Sequence, residues 1–185
     1  VNRVRKPYEE DEGGTIMSPE NDLYPYGYCG MPCALCPYFH TKGTSRCEGC
    51  SCGGLFTGGC SIYKCLRNRA GELKHCVSCD EYPCKKHAGL KEFNCMDTKN
   101  VWLVTCVDIR AKGIDDWMNT YRAKSDYLRI ALETYNNGRM KKYLCQLFIE
   151  LPLEKIELLM ARAERCSGDK KELANQFKEL AKEIS

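Results

Sequence analysis

The sequence predicts a small, mostly irregular, cysteine-stapled module followed by an all-α helical region. Three observations lead there. Twelve of the fifteen cysteines fall between Tyr26 and Cys95. That stretch is rich in Gly and Pro, poor in large aliphatic residues, and keeps neither a helical nor a strand period. Beyond it the texture changes to amphipathic segments with recognisable starts and stops. A chain of 185 residues has room for one ordinary domain, or a small one with an appendage. We divide it into a disordered arm at 1–22, a cysteine-rich module at 23–96 and a helical region at 97–185.

The arm carries Lys and Arg, then the acidic run Glu9-Glu10-Asp11-Glu12, then Gly13-Gly14 and Ser18-Pro19. Its apolar side chains are too few to offset the entropy of ordering. The opening VNRVRKPYEEDEGG is charged and no apolar central region follows it, so a secretory signal is not expected. No apolar run reaches bilayer length, which argues against a membrane partner. The expected localisation is therefore cytoplasmic, where clustered cysteines serve metals more often than disulfides. The odd total of fifteen also fits a complete disulfide framework poorly. Formal charge is +3, but Lys and Arg are dispersed, and no basic run marks a nucleic-acid surface.

Within the module, turns and short helices are expected, with Ile62 to Asn68 the best helical candidate. With so little aliphatic mass, such a segment is stapled rather than held by a conventional core. In the helical region Asp97 or Thr98 can cap a helix through about Lys112, ended by Gly113. Asp115 can cap a short turn containing Trp117 and Met118. Ser125 or Asp126 opens a helix with Leu128, Ala131, Leu132 and Tyr135, closed at Asn137-Gly138. The next carries Met140, Tyr143, Leu144, Leu147, Phe148 and Leu151. Pro152 breaks it and suits the first turn of a helix with Ile156, Leu159, Met160 and Ala163. After Gly168, Asp169 can cap a last helix with the stripe Leu173, Phe177, Leu180 and Ile184. Short loops favour antiparallel neighbours.

The cysteines supply the chemistry. Zinc takes four thiolate or imidazole ligands in a tetrahedron, often from Cys-x-x-Cys knuckles whose tight turn aims both sulfurs at one ion. Cys33-x-x-Cys36, Cys47-x-x-Cys50 and Cys76-x-x-Cys79 have that spacing, and Cys84-x-x-His87 is a fourth candidate. Cys29, Cys52, Cys60, Cys65 and Cys95 add further donors. The knuckles alone suffice for two tetrahedral sites; how they pair is open, since sequential and interleaved arrangements both occur. The alternative is a 4Fe–4S cluster acting in electron transfer, which uses the same thiolates. Cys29-x-x-x-Cys33-x-x-Cys36, followed by Pro37, has the cluster-loop spacing of radical S-adenosylmethionine enzymes. The α/β barrel of those enzymes has no room here. A thioredoxin-like role for Cys76-x-x-Cys79 needs a strand before and a helix after it, and Glu81-Tyr82-Pro83 reads as a turn instead.

With these motifs in view, the chain resembles a cysteine-rich family catalogued as domain of unknown function 3795. The likeness rests on YCGMPCALCP (Tyr28 to Pro37), CEGC (Cys47 to Cys50), CSIYKC (Cys60 to Cys65), CVSCDEYPC (Cys76 to Cys84) and Gly113-Ile114-Asp115-Asp116-Trp117. It spans roughly residues 26–118, and TYNNGRMKKYLC (Thr134 to Cys145) is similar to a continuation in longer members. The resemblance implies metal binding, most simply zinc, and no reaction. The residues it marks are Cys29, Cys33, Cys36, Cys47, Cys50, Cys60, Cys65, Cys76, Cys79 and Cys84. Cys52 and Cys95 lie outside its pattern.

Of the histidines, His75 and His87 are ligand candidates, His87 favoured by its spacing, and His40 reads as a solvated loop residue. Cys106, Cys145 and Cys166 fall in helical segments and read as small hydrophobes, although the resemblance reaches Cys145. Trp102 and Trp117 read as core, or as the seam between module and helices. Asn136-Asn137-Gly138-Arg139 is a helix stop and restart. No Ser/His/Asp set, phosphate loop or carboxylate pair can be placed, so a catalytic reading has no footing beyond a metal with an open position. The expectation is a metal-binding protein, with two or more structural zinc ions supporting a surface for a protein partner.

Overall fold

The computed structural model describes residues 24–69, 73–88, 90 and 101–185. The expected arm, the caps Asp97 and Thr98, and Cys95 lie outside them. Among the described residues there are seven α-helices and no strand. In chain order they are α1 (Ser61–Arg67), α2 (Lys85–Ala88), α3 (Val101–Lys112), α4 (Ile114–Thr134), α5 (Lys141–Glu150), α6 (Leu153–Ala163) and α7 (Lys170–Ile184). Three single 3-10 turns, Cys33–Leu35, Cys50–Cys52 and Cys76–Ser78, carry cysteines.

Helix α4 is the axis. It packs against α3, α5, α6 and the Cys33–Leu35 turn, while α7 closes on α6 and α1 on α2. The expected break between a Trp117 turn and a helix opening at Ser125 does not occur. Nothing between Ile114 and Thr134 forces one, since that run contains neither Gly nor Pro. The Ser125 hydroxyl is spent on the Tyr121 carbonyl one turn back, at 2.7 Å, rather than on a cap. Trp117, Tyr121, Ser125, Leu128 and Ala131 then form one continuous buried stripe. Gly113, with φ +87, supplies the left-handed corner that separates α3 from α4.

The other boundaries follow the sequence signals closely. Asn136 accepts the N–H groups of Gly138 and Met140 in the turn before α5. Pro152 stands at the N-cap of α6. Asp169 caps α7 in a full capping box with Glu172. The buried face of α7 is Ala174, Phe177, Ala181 and Ile184, with Leu173 and Leu180 at its margin. The expected stripe is therefore rotated by one residue, because two alanines let the helix approach its neighbours closely. Phe177, fully buried, stacks on Tyr135 at 4.5 Å. Truncating it to Ala would cost roughly 3–5 kcal/mol.

The cysteine-rich part is not without apolar mass. Tyr26, Met31, Leu35, Phe39, Ile62 and Leu66 are buried and belong to the same cluster as the helices. The seam is polar at one point. The Tyr121 hydroxyl accepts the Ala34 N–H at 2.6 Å and donates to the Pro25 carbonyl. At another the backbone is in close contact: a Cβ on Gly30 would lie 2.5 Å from the Trp102 carbonyl oxygen. Trp102 and Trp117 are each 7% exposed at this seam, as expected.

Candidate metal centre

Two of the knuckles have the same backbone. In the first, Leu35, Cys36 and Phe39 donate their N–H groups to Pro32, Cys33 and Cys36, each at 3.0 Å. In the other, Ser78, Cys79 and Tyr82 donate to His75, Cys76 and Cys79 at 3.1, 3.0 and 3.0 Å. Cys36 and Cys79 end their turns at φ −83, ψ 135 and φ −85, ψ 135. Each knuckle thus reads C-x-x-C-x-x-aromatic, a two-sulfur turn closed by Phe39 or Tyr82. The sequence shows the spacing; the shared hydrogen-bond ladder appears only in the structure.

Around the second knuckle, Cys65, Cys76, Cys79 and Cys84 line one cavity of about 20 Å³. That volume admits a single water-sized or smaller guest. Cys65 arrives on α1, and Cys84 precedes α2, accepting the His87 and Ala88 N–H groups at its carbonyl. Packing of α1 on α2 brings them together. Two cations stand beside the sulfurs. Lys86 lines the cavity, and Arg69 donates to the Cys79 Sγ at 3.5 Å while pairing loosely with Glu81 at 3.9 Å. Neither was singled out from the sequence, because an Arg at the end of a short helix carries no signal of its own.

Around the first knuckle, Cys50 is the hub. Its N–H donates to the Cys33 Sγ at 3.4 Å, and the two thiols hydrogen-bond to each other. That bond and burial together hold Cys33 well above the usual thiol range, whereas the same bond lowers Cys50 against the opposing effect of its burial. Cys36 and Cys29 lie within electrostatic reach of Cys50, and burial pushes Cys29 up to about 12. Cys47 is buried, its sulfur where a Cβ on Gly54 would fall at 2.7 Å. Cys60 accepts the Tyr63 N–H at its sulfur, 3.4 Å away. Cys52 is half-buried, with Ser51 Oγ 3.7 Å from its sulfur. N–H groups directed at sulfur favour the thiolate that a cation requires.

The histidines divide. His75 is fully buried, and its Nδ1 accepts the Val77 N–H at 3.2 Å. The proton of the neutral ring therefore sits on Nε2, which finds no partner among the described residues and offers no lone pair to a cation. Burial lowers His75 to about 4, so the ring stays neutral. His87 is packed edge-on between Tyr82 and Trp102, its Nε2 also without a partner among the described residues, and it does not line the four-thiol cavity. His40 is not the solvated loop residue expected: it is half-buried and donates from Nε2 to the Ala34 carbonyl at 2.7 Å. Cys106 and Cys145 are buried in helices, as expected of small hydrophobes, and Cys106 donates to the Cys29 carbonyl at 3.2 Å.

No disulfide joins two described cysteines. Among the described residues, no group of three or more His, Cys, Asp or Glu side chains is gathered tightly enough to hold a metal ion as it stands. The fit to a soft cation is thus one of donor chemistry and shared enclosure, not of bond length. No helix among the described residues is long and apolar enough to cross a membrane. No family model, curated protein or solved structure matches the chain.

Proposed function

We propose that this chain is a metal-binding protein of the kind catalogued as domain of unknown function 3795. In this reading two or more zinc ions staple the cysteine-rich part and support a surface for a protein partner. The supporting observation is the cavity that Cys65, Cys76, Cys79 and Cys84 line together, brought in by α1, the second knuckle and the residue before α2. Four thiols around so small a space are the donor set of a closed structural site, and Arg69 and Lys86 offset the charge that four thiolates leave after a divalent cation is counted. The repeated knuckle supplies a second set in Cys29, Cys33, Cys36 and Cys50. Cys60 lies within electrostatic reach of Cys29, and His87 does not line the four-thiol cavity. For the partner, support comes from Leu103 and Val107 on the outer face of α3, which are 43% and 59% exposed.

Elemental analysis of protein purified without oxygen tests the reading. Two or more zinc per chain and a colourless solution are expected. Iron with broad brown absorption would replace zinc by the electron-transfer cluster, and thiols that all react freely in metal-free protein would end the metal reading altogether. Cadmium-113 NMR of the exchanged protein tests the grouping: the β-protons of Cys65, Cys76, Cys79 and Cys84 should couple to one cadmium, and those of Cys33 and Cys50 to another. Because each thiol must lose its proton, apparent affinity should rise steeply with pH.

A further inference from the structure

The helices enclose a second recess for which the thiol chemistry has no use. A cleft of about 620 Å³ lies between α3, α4 and α5, with Pro32 and Leu35 of the first knuckle turn in its lining. Small-molecule sites commonly fall between roughly 300 and 1,000 Å³. One wall is apolar, formed by Pro32, Leu35, Val101 and the edges of the buried Trp117–Tyr121 pair, whose rings stack with centroids 4.9 Å apart and planes within 9°. Lys124 follows one turn further along α4. Its stem is largely buried, and among the described residues its ammonium makes one hydrogen bond, to the Ile149 carbonyl at 3.3 Å. An ammonium has three donors, so two are left over. Asp108 and Glu150 also line the cleft. Neither forms an ion pair with Lys124 among the described residues. Burial lowers Lys124 to about 8, which marks a cation short of acceptors.

We propose that this cleft binds a small amphipathic monocarboxylate, its aromatic body against Trp117 and Tyr121 and its carboxylate on the Lys124 ammonium. The unused N–H groups leave the ammonium free to meet a carboxylate as a point charge with a charge-assisted hydrogen bond. A second negative charge on the ligand would meet Asp108 and Glu150, which disfavours phosphates and dicarboxylates. An aromatic acid sets a rigid ring against this apolar wall at low entropic cost.

The test uses the full chain with its native metal content and two probes of equal shape, 3-phenylpropionate and the neutral 3-phenylpropionamide. Calorimetry should show saturable one-site binding of the acid and binding of the amide at least about tenfold weaker, as a charge-assisted bond predicts. The Trp117 indole N–H should shift in ¹H–¹⁵N spectra as the acid is added. Lys124→Met should weaken the acid about tenfold and leave the amide unchanged. The proposal is overturned if the acid fails to saturate, if wild type binds acid and amide equally, or if Lys124→Met binds the acid as well as wild type. In that last case Lys124 serves only to cap the α5 carbonyls. The acid–amide comparison needs no variant to fold.

Discussion

At Lys124 the fold holds a charge that it would be more stable without. The ammonium is favoured less in the folded chain than in water, so its value falls from 10.5 to about 8. Below pH 8 both folded and unfolded chains carry the proton, and the full cost of burying it is present. Between pH 8 and 10.5 the folded chain has released that proton while the unfolded chain still binds it, so stability rises with pH through this window. Asp108 and Glu154 oppose the shift and Lys112 assists it, but desolvation dominates. Lys124→Met should therefore raise Tm at pH 7 in the absence of ligand, by roughly 1–3 kcal/mol of stability. Thermal melts of both proteins from pH 7 to 10.5 check this: the gain should shrink as pH rises. A constant difference would mean that shape, not charge, distinguishes them.

Among the elements, those with chemical punctuation were legible and those without it were not. Asp169 with Glu172, Pro152 and the Asn136-Asn137-Gly138 turn each place a boundary, because each satisfies or removes a specific backbone donor. Asp169 accepts from Lys171 and Glu172 at 2.8 and 2.9 Å, and its own N–H returns to the Glu172 carboxylate at 2.9 Å. Asp169→Ala should cost about 1 kcal/mol and lower Tm by about 2–4 °C; a calorimetric scan measures it, with Asp169→Asn expected to keep most of the loss from appearing. Ser125-Asp126 carried the same kind of signal and misled, since a serine inside a helix can bond backward and leave the helix intact. The Cys-x-x-Cys turns were legible for the same local reason as the caps. That Cys65 joins Cys76, Cys79 and Cys84 was not, because it depends on α1 docking on α2, a contact that no spacing announces.

For the molecule as a whole, the sequence suggested two parts held by different forces. The structure adds that their apolar residues form one cluster, with α4 running through it and the first knuckle turn seated against α4 and α5. If cations staple the cysteines as proposed, removing them should therefore be felt unevenly. Hydrogen exchange in the presence of a strong chelator should accelerate throughout 24–88 and at the Trp117 end of α4. Helices α6 and α7, which bury Ile156, Leu159, Phe177 and Ala181 against each other and α4, should keep their protection. Uniform protection before and after chelation would show that the sulfurs are not held by cations.

The Tyr121 hydroxyl gives this arrangement a thermodynamic corollary. One phenol takes the Ala34 N–H, donates to the Pro25 carbonyl, and turns the same ring toward the Lys124 recess. Two guests of unlike chemistry, a soft ion and an organic acid, would then lean on a single pivot. Reciprocity requires that whatever one guest does to the affinity of the other be returned in equal measure. Titrating either in the absence of its counterpart would characterise a different protein from the one that carries both.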